Sequence, residues 1–240
     1  MPVSRLFTDT SLTPNQPVDL TEEQAHYLRH VMRLKPGDRV VLFNGRGGEY
    51  PARITTLDRR HACCEPESFE PVDRELACRI HIVQAANRSE KIETVLQKCT
   101  ELGAASFQVC VSERAAFRLD AGKRDARLQR WQRIIVEAAE QSGRTAIPEV
   151  QWRHELAAAL PVGAAYALHP EAAEPWTEVR DKLAMQRDVT LAVGPEGGWS
   201  DADLTRLSDL GFQPLRFGPR VLRTETAAPA LTAAIQALLA

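Results

Sequence analysis

Two segments late in the chain concentrate residues able to hold a small ligand. The apolar run Val189 to Val193 leads into Gly194-Pro195-Glu196-Gly197-Gly198-Trp199-Ser200, after which Asp201 and Asp203 open a helix. The glycines leave the backbone bare, so a ligand can approach the amide groups closely. Farther on, Arg216-Phe217-Gly218-Pro219-Arg220-Val221-Leu222-Arg223-Thr224-Glu225-Thr226 presents Arg220 and Arg223 between a Gly-Pro turn and a helix start. That combination suits an anion or a polarised base. Trp199 stands where a Walker-type phosphate loop needs Lys and then Ser or Thr, so ATP is not the expected ligand. Ala85-Ala86-Asn87-Arg88-Ser89 stands where a dinucleotide fingerprint would follow the first strand of a Rossmann unit, so that cofactor is not expected either.

These loops need strands and helices to hold them. Thr21 to Met32 carries Ala25, Leu28, Val31 and Met32 at helical spacing, ended by Lys35-Pro36-Gly37-Asp38. Arg39 to Phe43, Tyr50 to Leu57 and His61 to Glu65 read as strands, with Asn44-Gly45 and Gly47-Gly48 supplying hairpin turns. The N-terminal part is thus a small β-rich barrel. Glu65 to Arg74, with two prolines and many acids, reads as a linker, which divides the chain into domains 1–72 and 73–240. Beyond it, strand-like segments (Cys78 to Val83, Phe107 to Val111, Ala164 to Leu168, Val189 to Val193, Pro214 to Phe217) alternate with helix-like ones (Lys91 to Leu102, Leu128 to Ala139, Thr226 to Leu239). This is the grammar of an α/β fold with a mostly parallel sheet, whose ligands sit outside the carboxyl ends of the strands.

Composition narrows the classes. The 240 residues are 44% apolar and 26% charged, ordinary for a folded globular chain, and 30 Lys and Arg against 32 Asp and Glu give a net charge of −2. No global positive field draws this chain to nucleic acid, so any such affinity is local. Arg114, Arg118, Lys123, Arg124, Arg127, Arg130 and Arg133 form such a region, interrupted only by Asp120 and Asp125. Leu128, Trp131, Ile135, Ala138 and Ser142 set a buried helical face opposite part of it. Five cysteines without CxxC spacing disfavour a disulfide framework or zinc ribbon, and Cys63-Cys64 and Cys99 read as inert. The expected setting is cytoplasmic, with no membrane span and no export signal. His26 and His30 have the spacing of a metal pair, but no third ligand accompanies them, so no metal is expected.

Taken in order, the motifs resemble one family along nearly the whole chain. Gly194-Pro195-Glu196-Gly197-Gly198 followed by Gly218-Pro219-Arg220-Val221-Leu222-Arg223-Thr224-Glu225-Thr226 resembles the RsmE family, the ribosomal RNA small subunit methyltransferases E. So do Arg88-Ser89-Glu90-Lys91, Gln97 to Gly103, Ser112-Glu113-Arg114, Glu140-Gln141-Ser142-Gly143-Arg144 and Leu168-His169-Pro170. Ala25 to Arg33 and Phe43-Asn44-Gly45 are similar to that family's RNA-binding barrel. Trp199 and Phe217 depart from the smaller or differently shaped apolar residues common there.

The resemblance implies a SPOUT-type parallel sheet with a C-terminal trefoil knot, in place of the simple doubly wound sheet that the strand alternation suggests, preceded by a PUA-like β-barrel. It implies a homodimer, S-adenosylmethionine as cofactor, and methylation of uridine N3 in the decoding region of 16S rRNA on the assembled small ribosomal subunit. For the cofactor it points to Leu168, His169, Val193, Gly194, Pro195, Glu196, Gly197, Gly198, Phe217, Gly218, Val221, Leu222 and Thr224. Arg223 and Arg220 are the candidates for stabilising charge on the base. Glu196 or Glu225 is a candidate proton acceptor, with helix capping or loop bracing the alternative for each. Arg29, Arg33, Arg88, Arg114 and Arg144 are the expected RNA contacts. Another RNA target such as tRNA, and a non-catalytic ribosome-binding factor, remain alternatives on sequence alone.

Overall fold

The computed structural model describes residues 4–115, 118–119 and 121–239; Asp120, counted in the basic run, lies outside them. The chain divides into two compact units, Met1–Glu75 with Ala139–Ile147, and Leu76–Ala138 with Pro148–Ala240.

The first unit is built on a five-stranded sheet of β1 (Ser4–Phe7), β2 (Val18–Leu20), β3 (Arg39–Phe43), β4 (Tyr50–Leu57) and β5 (Ala62–Pro66), in the order β1-β3-β4-β5-β2. β3 and β4 form the expected antiparallel hairpin, while β1 and β2 escape the sequence reading because each is very short. Leu6, Val40, Leu42, Ile54 and Cys64 fill the core. Leu28 joins them from α1 (Glu22–His26) and its continuation, Tyr27–Val31, which is wound as a π turn. Thr21 and Gln24 form a reciprocal capping box that starts α1.

The segment read as a linker is tied down instead. Glu49 and Glu70 exchange both backbone hydrogen bonds, and Arg74 pairs with the Glu49 carboxylate at 3.0 Å. Residues 139–147 count with this unit for physical reasons that a local reading cannot see. The Phe7 N–H donates to Glu140 at 2.8 Å, Arg5 donates to the Arg144 carbonyl at 3.0 Å, and Arg46 bridges Ala146.

The second unit holds a six-stranded, wholly parallel sheet. Its strands are β6 (Arg79–Ala85), β7 (Ala104–Cys110), β8 (Glu149–Arg153), β9 (Ala164–Leu168), β10 (Asp188–Val193) and β11 (Gln213–Leu215), in the order β11-β9-β10-β6-β7-β8. The central strands β6 and β10 are almost continuously buried, as strands covered on both faces must be. The helices are α2 (Ser89–Glu101), α3 (Ala121–Ser142), α4 (Trp176–Ala184), α5 (Asp201–Asp209) and α6 (Thr224–Leu239). α2 buries Ile92, Val95, Leu96 and Cys99, and packs on α6, which buries Ala228, Leu231 and Ile235.

The chain runs outward from β6 through β7 to β8, then returns to the far side of β6 for β9, β10 and β11. That reversal opens a crevice at the carboxyl ends of the strands, the place where such sheets bind ligands. No helix among the described residues is long and apolar enough to cross a membrane.

Candidate active site

The loops that follow β9, β10 and β11 enclose, with the start of α2, a cleft of about 810 Å³. The loop after β10 is shaped by its glycines and by Trp199. Gly198 has φ +69°, a left-handed conformation that closes a turn from its N–H to the Pro195 carbonyl at 3.0 Å. Trp199 is buried, and its indole N–H donates to the Leu168 carbonyl at 3.2 Å, joining this loop to the end of β9. A Cβ added at Gly194 would lie 3.2 Å from the Trp199 ring, so any larger residue there presses on the tryptophan, which must shift by a few tenths of an ångström. Ser200 and Asp203 form the capping box that starts α5, and Asp203 is fully buried.

The loop after β11 is anchored to the same floor. The Thr224 hydroxyl donates to the Gly194 carbonyl at 2.8 Å and accepts from the Gln84 amide at 2.9 Å. Gln84, near the end of β6 and 2% exposed, holds Thr224 of the cleft lining from behind. Losing either partner would leave a buried polar group unsatisfied, at about 1–3 kcal/mol. The His169 N–H donates to the Leu215 carbonyl at 2.9 Å, holding the β9 loop beside β11.

Charge is distributed unevenly around this frame. Lys91 on α2 reaches Glu196 at 2.6 Å and Glu225 at 3.2 Å, an ammonium shared by the glycine loop and the start of α6. Its hydrogen bond to Glu196, helped by Glu225, holds the Lys91 pKa above its ordinary value. The same bond holds the Glu196 carboxyl below its ordinary range. For Glu225 burial pushes upward, but the bond from its own backbone N–H and the Lys91 ammonium outweigh it, so its pKa is lowered too. Arg114 donates to the Gly197 carbonyl at 2.9 Å and the Trp199 carbonyl at 3.4 Å, bracing the glycine loop from outside. Arg88, Arg220 and Arg223 also line the cleft; none makes a side-chain hydrogen bond or ion pair among the described residues, though the charges of Arg88 and Arg223 act on Glu196 and that of Arg223 on Glu225 as well.

All the residues expected to meet the cofactor line this one cleft, as do Arg220, Arg223, Arg88 and Arg114. The remaining arginines separate. Arg29 and Arg33 are exposed on the first unit, but the helix ends at Val31 and Arg33 has φ +55°, so they do not share one helical turn. Arg144 is 4% exposed and its guanidinium is ion-paired with Glu75, which removes it from the phosphate contacts. The basic stretch on α3 is also partly neutralised. Arg130 reaches Glu93 at 2.9 Å and Arg127 at 3.7 Å, and chiefly the Arg130 bond lowers the Glu93 pKa.

Sequence reasoning missed Lys91 and Gln84 as parts of the site. Lys91 sits in the Arg88-Ser89-Glu90-Lys91 motif, but nothing in local spacing connects it to carboxylates more than a hundred residues away. Gln84 had a weak signal, a polar side chain ending a run of apolar ones.

Known proteins share this architecture. A family model described as an RNA methyltransferase domain matches residues 74–236, and one described as an RNA methyltransferase PUA domain matches residues 20–67. The chain is 34% identical over 234 residues to the ribosomal RNA small subunit methyltransferase E of Synechocystis, covering 92% of this chain and 73% of that one. To the Bacillus subtilis protein of the same name it is 30% identical over 217 residues, 87% of this chain and 85% of the other. Among solved structures, a methyltransferase of Legionella pneumophila with bound S-adenosylmethionine matches with a TM-score of 0.91 at 34% identity, over 99% of this chain and 98% of the other. The ribosomal RNA small subunit methyltransferase E of Neisseria gonorrhoeae, also bound to S-adenosylmethionine, matches with a TM-score of 0.89 at 32% identity over 98% of each chain.

Proposed function

This chain belongs to the ribosomal RNA small subunit methyltransferase E family, and we propose that it uses S-adenosylmethionine to methylate N3 of a uridine in the decoding region of 16S rRNA, on the assembled small subunit. The observation that carries this reading is the cleft in which the 194–198 glycine loop faces Arg88, Arg220 and Arg223, none of them in a side-chain hydrogen bond or ion pair among the described residues.

The residues present fit the cofactor. Gly194 is kept bare against Trp199, Leu168 and Leu222 offer apolar walls, and the 194–198 and 217–222 loops offer backbone groups. His169, Val193, Phe217, Val221 and Thr224 complete the set proposed to hold it. S-adenosylmethionine supplies a methyl group already activated on its sulfonium. The chain's own task is to align the base and to make loss of its N3 proton less costly. Removing that proton spreads negative charge over the base carbonyls, and Arg220 and Arg223, exposed and lining the cleft, are the residues proposed to stabilise it. Glu196 and Glu225 are both ion-paired to Lys91, which holds their carboxyls below the ordinary range and braces the loops, and each stays the candidate acceptor for the N3 proton.

Arg88 and Arg114 at the cleft and Arg29 and Arg33 on the PUA domain are the proposed RNA contacts. The reading also includes a trefoil-knotted C-terminal chain, a homodimer and residence in the cytoplasm. The knot rests on membership of the family.

The test is to incubate the protein with S-adenosylmethionine and small subunits lacking the modification, then analyse the rRNA nucleosides by mass spectrometry. New 3-methyluridine is expected. Methyl label on another nucleoside, or only on added tRNA, would overturn the target and keep the enzyme class.

A further inference from the structure

A second cleft, of about 720 Å³, lies behind the arginine loop. It is bounded by Trp176 at the start of α4, by Arg216, and by Ala234 on α6. Phe217, Gly218, Arg220 and Leu222 line both this cleft and the first one, so the loop is a shared wall. Whatever occupies the second cleft therefore touches residues that also face the methyl-transfer site.

The chemistry of the walls selects an occupant. The Trp176 and Phe217 rings meet edge to face, with centroids 5.7 Å apart and planes at 78°. Both are half-buried, and an edge-on contact leaves ring face available to a third planar group. The backbone secures this geometry. The Trp176 N–H donates to the Arg216 carbonyl at 2.8 Å, and the Arg216 N–H to the Glu174 carbonyl at 2.9 Å. Arg216 and Arg220 have no side-chain partner among the described residues, so two uncompensated cations flank the aromatic surface. A segment of another protein copy would have to bring acidic groups to neutralise them, whereas a nucleotide brings a flat base and a phosphate together.

Resting on the RNA methyl-transfer reading, we propose that this second cleft is a subsite for a nucleotide neighbouring the methylated one, its base stacked on Trp176 and its phosphate held by Arg216. Occupancy would fix the 217–222 wall from behind and hold the strand in register while the target base enters the first cleft.

The experiment compares wild type, Trp176→Ala, Trp176→Phe and Arg216→Gln on unmodified small subunits, with cofactor affinity by calorimetry and mass by analytical ultracentrifugation. Trp176→Ala is expected to raise KM for the subunit roughly tenfold, as loss of one stacked base does. Its kcat and cofactor affinity stay unchanged, and Trp176→Phe recovers most of the loss. Arg216→Gln is expected to reduce the salt slope of log KM by about one, the signature of one phosphate contact. Unchanged KM and salt slope in both Trp176→Ala and Arg216→Gln would overturn the subsite while the function stands. A raised KM accompanied by loss of dimer mass would assign the cleft to a second copy and overturn it as well. No methyl transfer to any RNA by the wild type would instead bring down the functional reading on which the subsite rests.

Discussion

The two ends of the parallel sheet use the same residue types in opposite ways. At the amino end, Arg79 meets Asp188 through two hydrogen bonds of 2.7 and 2.8 Å, and His81 bridges Asp188 at 3.0 Å and Ser106 at 2.8 Å. Each polar group there is answered by another, and the result ties β6, β7 and β10 together. At the carboxyl end, Arg88, Arg220 and Arg223 surround a cleft without making a side-chain hydrogen bond or ion pair among the described residues. A cation paired within the fold contributes to stability, while a cation left unpaired beside a cavity is available to a ligand. Within the cleft Lys91 follows the rule of the amino end, since Glu196 and Glu225 already occupy it.

The largest effect is expected at the glycine floor. Gly194→Val forces the Trp199 ring to move, and overpacking of this kind should weaken cofactor binding on the order of 100-fold while the circular dichroism spectrum stays native. Calorimetry showing wild-type affinity would break the assignment of the floor.

Next come the unpaired arginines. Arg223→Ala should lower kcat on the order of 100-fold, the scale of losing one charge-stabilising donor, with cofactor affinity retained. A kcat at the wild-type level would mean that Arg223 does not face the base.

Lys91→Met should have a smaller effect, roughly tenfold in kcat/KM, because it acts through the loops that it joins. It also leaves two carboxylates without their cation. In the wild type Glu196 and Glu225 have lowered pKa values, so their contribution is present above the ordinary carboxylate pKa and lost as pH falls through the lowered one. In Lys91→Met the acid limb of the activity profile should therefore move to higher pH, and Lys91→Arg should restore it. An acid limb that does not move would separate Lys91 from the loops.

The smallest effect on activity belongs to the amino end. Arg79, then His81, hold the Asp188 pKa at about 2 against an ordinary 3.8. Its stabilising contribution is thus complete above 3.8 and lost as pH falls toward 2. Asp188→Asn should lower the melting temperature at neutral pH, flatten its acid dependence in that window, and leave methyl transfer unchanged. Lost activity with an unchanged melting curve would reverse the contrast between the two ends.

Much of the frame was legible in the residues. Arg39–Phe43, Tyr50–Leu57 and Ala164–Leu168 form strands over the ranges that their patterning indicates, and the Ser200 cap starts α5 where Asp201 and Asp203 suggested. β1 and β2 were missed because strands of three or four residues carry little periodic signal, and β8 because Glu149, Gln151 and Arg153 leave it only Val150 and Trp152 as apolar residues. Arg144 was misread for a related reason, since a basic residue after a helix looks the same in sequence whether it faces water or Glu75.

The sequence by itself determined the alternation of strands and helices, the two glycine-bearing loops and the ordered motifs of the family, because periodicity, turn chemistry and capping are settled among near neighbours in the chain. Tertiary structure alone decided that Lys91 would join Glu196 to Glu225, that Gln84 would hold Thr224 against the cleft, and that residues 139–147 would count with the barrel. Those outcomes depend on which distant groups share a buried site, where an unpaired charge or hydrogen bond is costly and only the complete fold supplies the partner.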